Sequence, residues 1–283
     1  MGLRINTNVP ALISQRNIRN TRFNLDRSLE RLSSGSRINH AGDDAAGLAI
    51  SESLRAQIRG LGQAERNSQD GISLVQVAEG AIAEVSNILI RMRELSVQSA
   101  SDTIGDQERK FIQVEFQQSL EEIERIANST EFNRVPLLNG HANTFEVQVG
   151  TRNNPAIDRI RLFETNGADV TPTAIGVNLA SVGDKLSAQN SLAALDGALQ
   201  SVTSIRAEFG AMQNRLQSVM SNIMVSRENL AAANSRIRDT DMAEETTELT
   251  KNQILMQAGV SVLGQANTTI KTALQLLGQG GMG

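Results

Sequence analysis

The chain has 283 residues, a net charge of −4 and a 2% aromatic share with no Trp and no Tyr; that length allows one or two domains with a sizeable core. So little aromatic surface argues against the pocket of an ordinary enzyme of this size, and an acidic balance without a basic, aromatic-interleaved patch argues against nucleic acid. The absence of cysteine excludes disulfides, thiolate chemistry and cysteine-ligated metal, and no run of about 18 apolar residues is present to insert into a membrane.

The first 15 residues carry Leu3, Ile5, Val9, Leu12 and Ile13 with Arg4 as their one charge. They lack the continuous apolar core and cleavage site of a Sec-type signal peptide, and Asn6 stands where a myristoylation start needs Ser or Thr. Export, if it occurs, is expected to leave no cleaved signal. A helix is predicted over residues 11–33 with Ile18, Leu25, Leu29 and Leu32 on one seam. Ser33-Ser34-Gly35-Ser36 interrupts it, and residues 37–47 read as irregular. A second helix is predicted from about 48 to 98, its stripe at Val75, Ala78, Ile82, Val85, Leu89 and Met92 stepping by three and four. Thr103-x-x-Asp106 is a capping-box-like start for a third, reaching about 128.

The four prolines, Pro10, Pro136, Pro155 and Pro172, leave long blocks on either side of the centre free of helix breakers. In that centre the period changes to two. Phe145, Val147 and Val149 alternate with polar residues, then Ile160 and Leu162 do, around a Gly/Asn/Pro loop, which reads as a β-hairpin. Residues 165–183 are turn-rich and carry no assigned element. Ser181-x-x-Asp184 is expected to open a long helix with its stripe at Leu192, Leu195, Leu199, Val202, Ile205, Phe209, Met212, Leu216, Val219, Ile223, Leu230 and Ile237. One extra three-step between Leu199 and Ile205 changes local winding without ending such a helix.

From Leu249 to Gly283 the only charges are Lys251 and Lys271. An apolar residue returns every seventh position, at Leu249, Met256, Leu263, Ile270 and Leu277, with Met242 upstream. Val260 and Leu274 fall as half-heptad partners, and Gln253 and Asn267 hold the same phase. A heptad of this length with so few charges marks a helix that needs a partner. The fold class expected is mainly α: a long antiparallel helical rod, coiled-coil-like, with a small β-hairpin at about 140–165. The expected domains are a terminal helical coiled coil, residues 1–43 plus 241–283, and a rod, residues 44–240.

Residues that could carry chemistry read as structural. His40 and His141 are each alone in loop-like sequence. Asp43 and Asp44 are adjacent and so do not face each other as an acid/base pair; caps or salt bridges to Arg31 or Arg37 are the expectation. Glu121, Glu122 and Glu124 follow a solvated helix face. The Gly-rich end, residues 278–283, has no strand before it and no helix after it, so it is no phosphate loop. No active site, cofactor or metal set is read here.

Four segments carry a family resemblance. Residues 31–50, RLSSGSRINHAGDDAAGLAI, closely resemble the signature of bacterial flagellins. Residues 66–80, RNSQDGISLVQVAEG, are similar to the family's long-helix block, and residues 93–100, RELSVQSA, to its end. Residues 235–243, SRIRDTDMA, with 253–259, QILMQAG, and 265–267, QAN, resemble the C-terminal signature.

The resemblance covers about residues 1–140 and 185–283 in the right order, and the centre leaves room only for a short connector in place of outer domains. It implies the family's D0/D1 architecture and a structural subunit that polymerises into the flagellar filament, with a hook–filament junction protein as the alternative. A secreted enzyme on flagellin-like ends is a third class, but about 45 central residues are too few for a catalytic domain. The implied core polymerisation surface comprises Leu3, Ile5, Leu12, Leu25, Leu29, Leu32, Leu249, Met256, Val260, Leu263, Ile270, Leu274 and Leu277. The implied signature turn comprises Arg31, Arg37, Asn39, Asp43 and Asp44. The implied partners are copies of itself, an export chaperone masking the C-terminal helix, and hook-associated junction and cap proteins. A vertebrate innate immune receptor contacting Arg91, Leu95 and Glu115 is implied for some members. The implied route is unfolded passage through the flagellar export channel to the filament.

Overall fold

A computed structural model describes residues 7–140, 145–162 and 168–279, with side chains described through 269 and at 271–272. In chain order the elements are α1 (Val9–Ser34), α2 (Ala45–Ser99), α3 (Asp106–Ser129), β1 (Glu131–Phe132), β2 (Val135–Pro136), β3 (Glu146–Gln148), β4 (Arg159–Arg161), α4 (Lys185–Arg238) and α5 (Met242–Gln279). Two compact units are present: Met1–Ala56 with Leu230–Gly283, and Gln57–Asn229. The helices α2 and α4 contribute residues to both.

The central unit is built around the periodic stripes. On α2, Val75, Ala78, Ile82, Val85, Leu89 and Met92 are all fully buried. α3 adds Ile112, Phe116, Leu120, Ile123 and Ala127 to the same core. On α4 the residues in the core return every seventh position, at Leu195, Val202, Phe209, Leu216 and Ile223, so the extra three-step bends nothing out of the helix. Each such side chain stabilises the fold by about 1.5–3 kcal/mol through removal from water. One 18-residue window of α2 has a mean hydropathy of 1.3, long and apolar enough to cross a membrane on composition; its apolar stripe faces this core.

The β-hairpin lies where the change of period puts it, with Glu146 opposite Arg161, Val147 opposite Ile160 and Gln148 opposite Arg159 in an antiparallel pair. Val147 and Ile160 turn toward the core. A second hairpin, β1–β2, has no counterpart in the sequence reading. Its two turn residues, Asn133 and Arg134, both have positive φ, 51° and 65°. That is the backbone of a type I′ turn, here made without the glycine that normally signals it.

Two helix starts differ from expectation. α3 begins at Asp106 with Gly105 as its N-cap and no side-chain cap bond, so Thr103 caps nothing. Asp106 instead pairs with Arg109 at 2.9 Å. The buried Arg109 guanidinium donates to the Ser99 and Ser101 carbonyls, which closes the α2–α3 turn. At α4 the cap is Asp184, accepting from the Ser187 N–H at 3.0 Å, not Ser181. Ser181 is held by Ser191 and Gln113 instead. In both places a Ser/Thr three residues before an acid gave the pattern of a capping box, while the hydroxyl bonded elsewhere: Thr103 with the nearby Ser101 hydroxyl and Ser181 with the distant Gln113.

Candidate assembly surface and signature turn

In the terminal unit α1 and α5 pack antiparallel: Asn8 Nδ2 donates to the Ala266 carbonyl at 3.2 Å, and Arg31 reaches Glu245 at 3.4 Å. α1 starts cleanly, with Asn8 accepting from the Ala11 N–H and Pro10 in the first turn, and stops at Gly35, whose φ of 69° is a left-handed C-cap.

The seam between the pair runs along Ala11, Ser14, Ile18, Thr21, Leu25, Ser28 and Leu32 of α1. Across it lie Glu245, Leu249, Asn252, Met256, Gly259, Leu263 and Ala266 of α5, all half-buried or buried. Within the pair this differs from the predicted seam, because Leu29 and Val260 are exposed (47% and 57%); Leu12, expected on the polymerisation surface and not in that seam, is exposed as well (56%). In place of Leu29 and Val260 stand Ser28, at 4% exposure, and Gly259, where an added Cβ would come 2.9 Å from Ile18 Cγ1. At that level the helices approach so closely that even a methyl group would have to push Ile18 aside. The missed signal is a second pair of heptads, Ser14–Thr21–Ser28 and Glu245–Asn252–Gly259–Ala266, which carry few apolar residues and so escape a hydrophobic count.

A second set of large apolar side chains points outward. Val9, Leu12, Ile13, Phe23 and Leu29 on α1 are exposed, as are Met242, Ile254, Leu255, Val260 and Val262 on α5. Leu3, Ile5, Ile270, Leu274 and Leu277 lie outside the described residues or side chains, as do His141 and the last residues of the Gly-rich end.

The signature turn is a clasp in the same unit. Asp43 accepts from the backbone N–H of Asn39 and His40, both at 3.1 Å, and pairs with Arg27 at 2.8 Å. The His40 hydrogen bond above all, then that of Asn39 and the Arg27 and Arg31 charges, hold the Asp43 carboxyl below its ordinary value against the opposing cost of burial. The expected partners of Asp43 were Arg31 and Arg37. Arg31 instead pairs with Glu245 across the seam, and Arg37 donates to the Ile237 carbonyl at 2.9 Å, with its own N–H on the Arg238 carbonyl. Asp44 caps α2, accepting from the Gly47 N–H at 2.8 Å. Arg238 closes the clasp on Glu52 at 2.6 Å, and that bond draws the Glu52 pKa down. His40 is exposed and sits 2.9 Å from Glu30.

On the central unit Arg91 is exposed and bridges to Glu115 at 2.7 Å and Glu94 at 3.1 Å. Leu95, expected on that exposed face, is 1% exposed and belongs to the core. Four residues along a helix is 40° of rotation, enough to carry Leu95 from the margin onto the buried stripe. Glu121 and Glu124 are exposed, as read.

These features define a helical subunit that leaves large apolar side chains of its terminal pair uncovered, which is the surface of a protein that assembles. The profile of the bacterial flagellin N-terminal helical region matches residues 5–143, and that of the C-terminal helical region matches residues 192–277. The chain belongs to the bacterial flagellin family. It is 49% identical to a flagellin of Halalkalibacterium halodurans over 275 residues, covering 96% of this chain and 99% of that protein. It is 42% identical to the flagellar filament 33 kDa core protein of Treponema phagedenis over 286 residues, with the same coverage of 96% and 99%. Among solved structures it resembles Bacillus cereus flagellin, at 31% identity and a TM-score of 0.50, covering 60% of this chain and 94% of that one.

Proposed function

We infer that this chain is the structural subunit that polymerises into the bacterial flagellar filament. The observation that carries this is the outward row of apolar side chains on α1 and α5, in a chain related to flagellins along nearly its whole length. The junction-protein alternative draws no support from either. In this reading residues 1–43 and 241–283 form the filament core, residues 44–240 form the rod, and the signature clasp fixes the turn from α1 into α2. The subunit reaches the filament through the flagellar export channel. Before that, an export chaperone covers the apolar face of α5, and hook-associated and cap proteins bound the finished polymer. The Arg91–Glu115 pair marks a rod surface that meets a neighbouring subunit. In a bacterium that meets a vertebrate host, the same surface meets an immune receptor. Seeded polymerisation of the purified chain, followed by negative-stain microscopy, tests the reading. Filaments are expected, and a chain that stays monomeric on fresh seeds overturns it.

A further inference from the structure

We propose that the arginine face of α1 in one copy docks on the acidic cavity mouth beside α5 in the next, a contact that rests on the filament reading above. Between Val9 and Leu25, α1 carries Arg16, Arg19 and Arg22 and no acid. None of the three makes an ion pair among the described residues, and all are exposed. The antiparallel pairing sets them beside the α5 stretch 252–269, which has no charged residue at all, so they have no counter-charge within the pair. Arg16, Arg19 and Phe23 share the face turned away from the seam, and Phe23 is 68% exposed. Arginines around an aromatic anchor are the composition of a binding hot spot.

The complementary surface is on the same chain. From Asp241 to Glu248 there are four acids and no base. Glu245 is taken by Arg31 and Glu248 by Lys251; Asp241 caps α5 through the Ala243 and Glu244 N–H groups, which leaves the Glu244 carboxylate unpaired among the described residues. These acids line a cavity of about 320 Å³ together with Arg27, Arg31 and Arg37, which are engaged by Asp43, Glu245 and the Ile237 carbonyl respectively. Asn252, also in the lining, is 6% exposed and makes no side-chain hydrogen bond among the described residues. Thr240 Oγ1 and the Nε atoms of Arg27 and Arg31 are buried without partners. Buried polar groups in a finished structure are nearly always satisfied; the two Nε–H donors call for an acceptor such as water, while Glu244 and the Asn252 carbonyl oxygen call for a donor.

An incoming guanidinium brings five donors for the Glu244 carboxylate and the Asn252 carbonyl oxygen. At about 30 Å³ of liquid volume per water, the space also admits waters to serve the two Nε–H groups. A free cation would satisfy the acids but leave Arg16, Arg19 and Phe23 bare; a second copy answers both surfaces at once. Because the two surfaces lie on different faces of one chain, the contact is head-to-tail and does not close on itself, which is the geometry of a polymer.

Charge reversal tests this. Arg16→Glu with Arg19→Glu in one variant, and Glu244→Lys with Glu248→Lys in another, should each raise the concentration needed for seeded growth by about ten-fold or more. Monomer helicity should match the wild type. An equimolar mixture of the two variants should grow again, because each supplies the surface the other lacks. If reversal lowers helicity, the neutral variants Arg19→Gln and Glu244→Gln carry the test, and each should weaken the salt dependence of growth. Either reversed variant growing like the wild type, or a mixture as inert as its components, overturns the contact. A wild-type chain that does not polymerise at all overturns the filament reading, and this contact with it.

Discussion

Truncating Leu95 to Ala separates a core residue from a surface one. Leu95 is 1% exposed on the buried side of α2, near the fully buried Met92 and Ser99. Removing a buried leucine side chain costs about 2–5 kcal/mol, the transfer loss plus a cavity that the neighbours cannot wholly close. For a domain of this size each kcal/mol lowers the melting temperature by about 2–4 °C. Leu95→Ala should therefore melt the central unit about 10 °C early, and no less than about 4 °C. Arg91→Ala removes only an exposed guanidinium and should leave the melting temperature close to the wild type. Thermal scans of the monomer by far-ultraviolet circular dichroism compare the two. A Leu95→Ala chain that melts with the wild type but fails to grow on seeds would put Leu95 on the surface and refute the core assignment.

Three further outcomes follow from the terminal unit. Val260→Asp, which places a charge on the outward face, should stop seeded growth with monomer helicity unchanged; Leu263→Asp, in the seam, should lose helicity as well, and identical behaviour of the two would refute the division between seam and outer face. Gly259→Ala should be near neutral, the gain of roughly 1 kcal/mol in helix propensity offsetting a small shift of Ile18, whereas Gly259→Leu should part the helices at an overpacking cost of about 1–3 kcal/mol; growth of the leucine variant at the wild-type concentration would show that the close approach is dispensable. The Asp43 pKa lies below its unfolded value, so its contribution is present above the ordinary carboxylate value of about 3.9 and disappears as pH falls through the folded one. Asp43→Asn should accordingly unfold in less urea than the wild type at pH 7, with the gap narrowing as pH falls below the ordinary carboxylate value; a gap that is unchanged by acid would remove Asp43 ionisation from the clasp.

The sequence declared its periods more plainly than its phases. On α2 and α4 the three-four stripe is apolar at nearly every step, so period and buried face coincide, and the residues in the core are those the spacing picks out. On α1 and α5 the seven-residue period is just as regular, yet the buried phase includes Ser28, Asn252 and Gly259. Close helix approach selects small side chains, and a hydrophobic count then assigns leucines such as Leu29 to the wrong side. The β1–β2 turn was invisible because left-handed Asn133 and Arg134 stand where a glycine would announce the hairpin. Arg27 was missed as the partner of Asp43 because nothing local separates it from Arg31 or Arg37; only the path of the turn decides among the three.

The mixed character of that seam is the reason the terminal unit reads as half of a structure. Ser14, Thr21, Ser28 and Gly259 share it with Ile18, Leu25, Leu32, Leu249, Met256 and Leu263, so pairing within one subunit covers only part of the apolar surface the two helices carry. A further contribution lies in Leu12, Phe23, Leu29, Ile254 and Val260, each able to add about 1.5–3 kcal/mol when fully covered and nothing while the chain is alone. Association must first offset the entropy of immobilising a subunit, and several such side chains covered together are enough to do so where one or two are not. The contact between copies thus adds to what the pairing of α1 and α5 within one chain supplies.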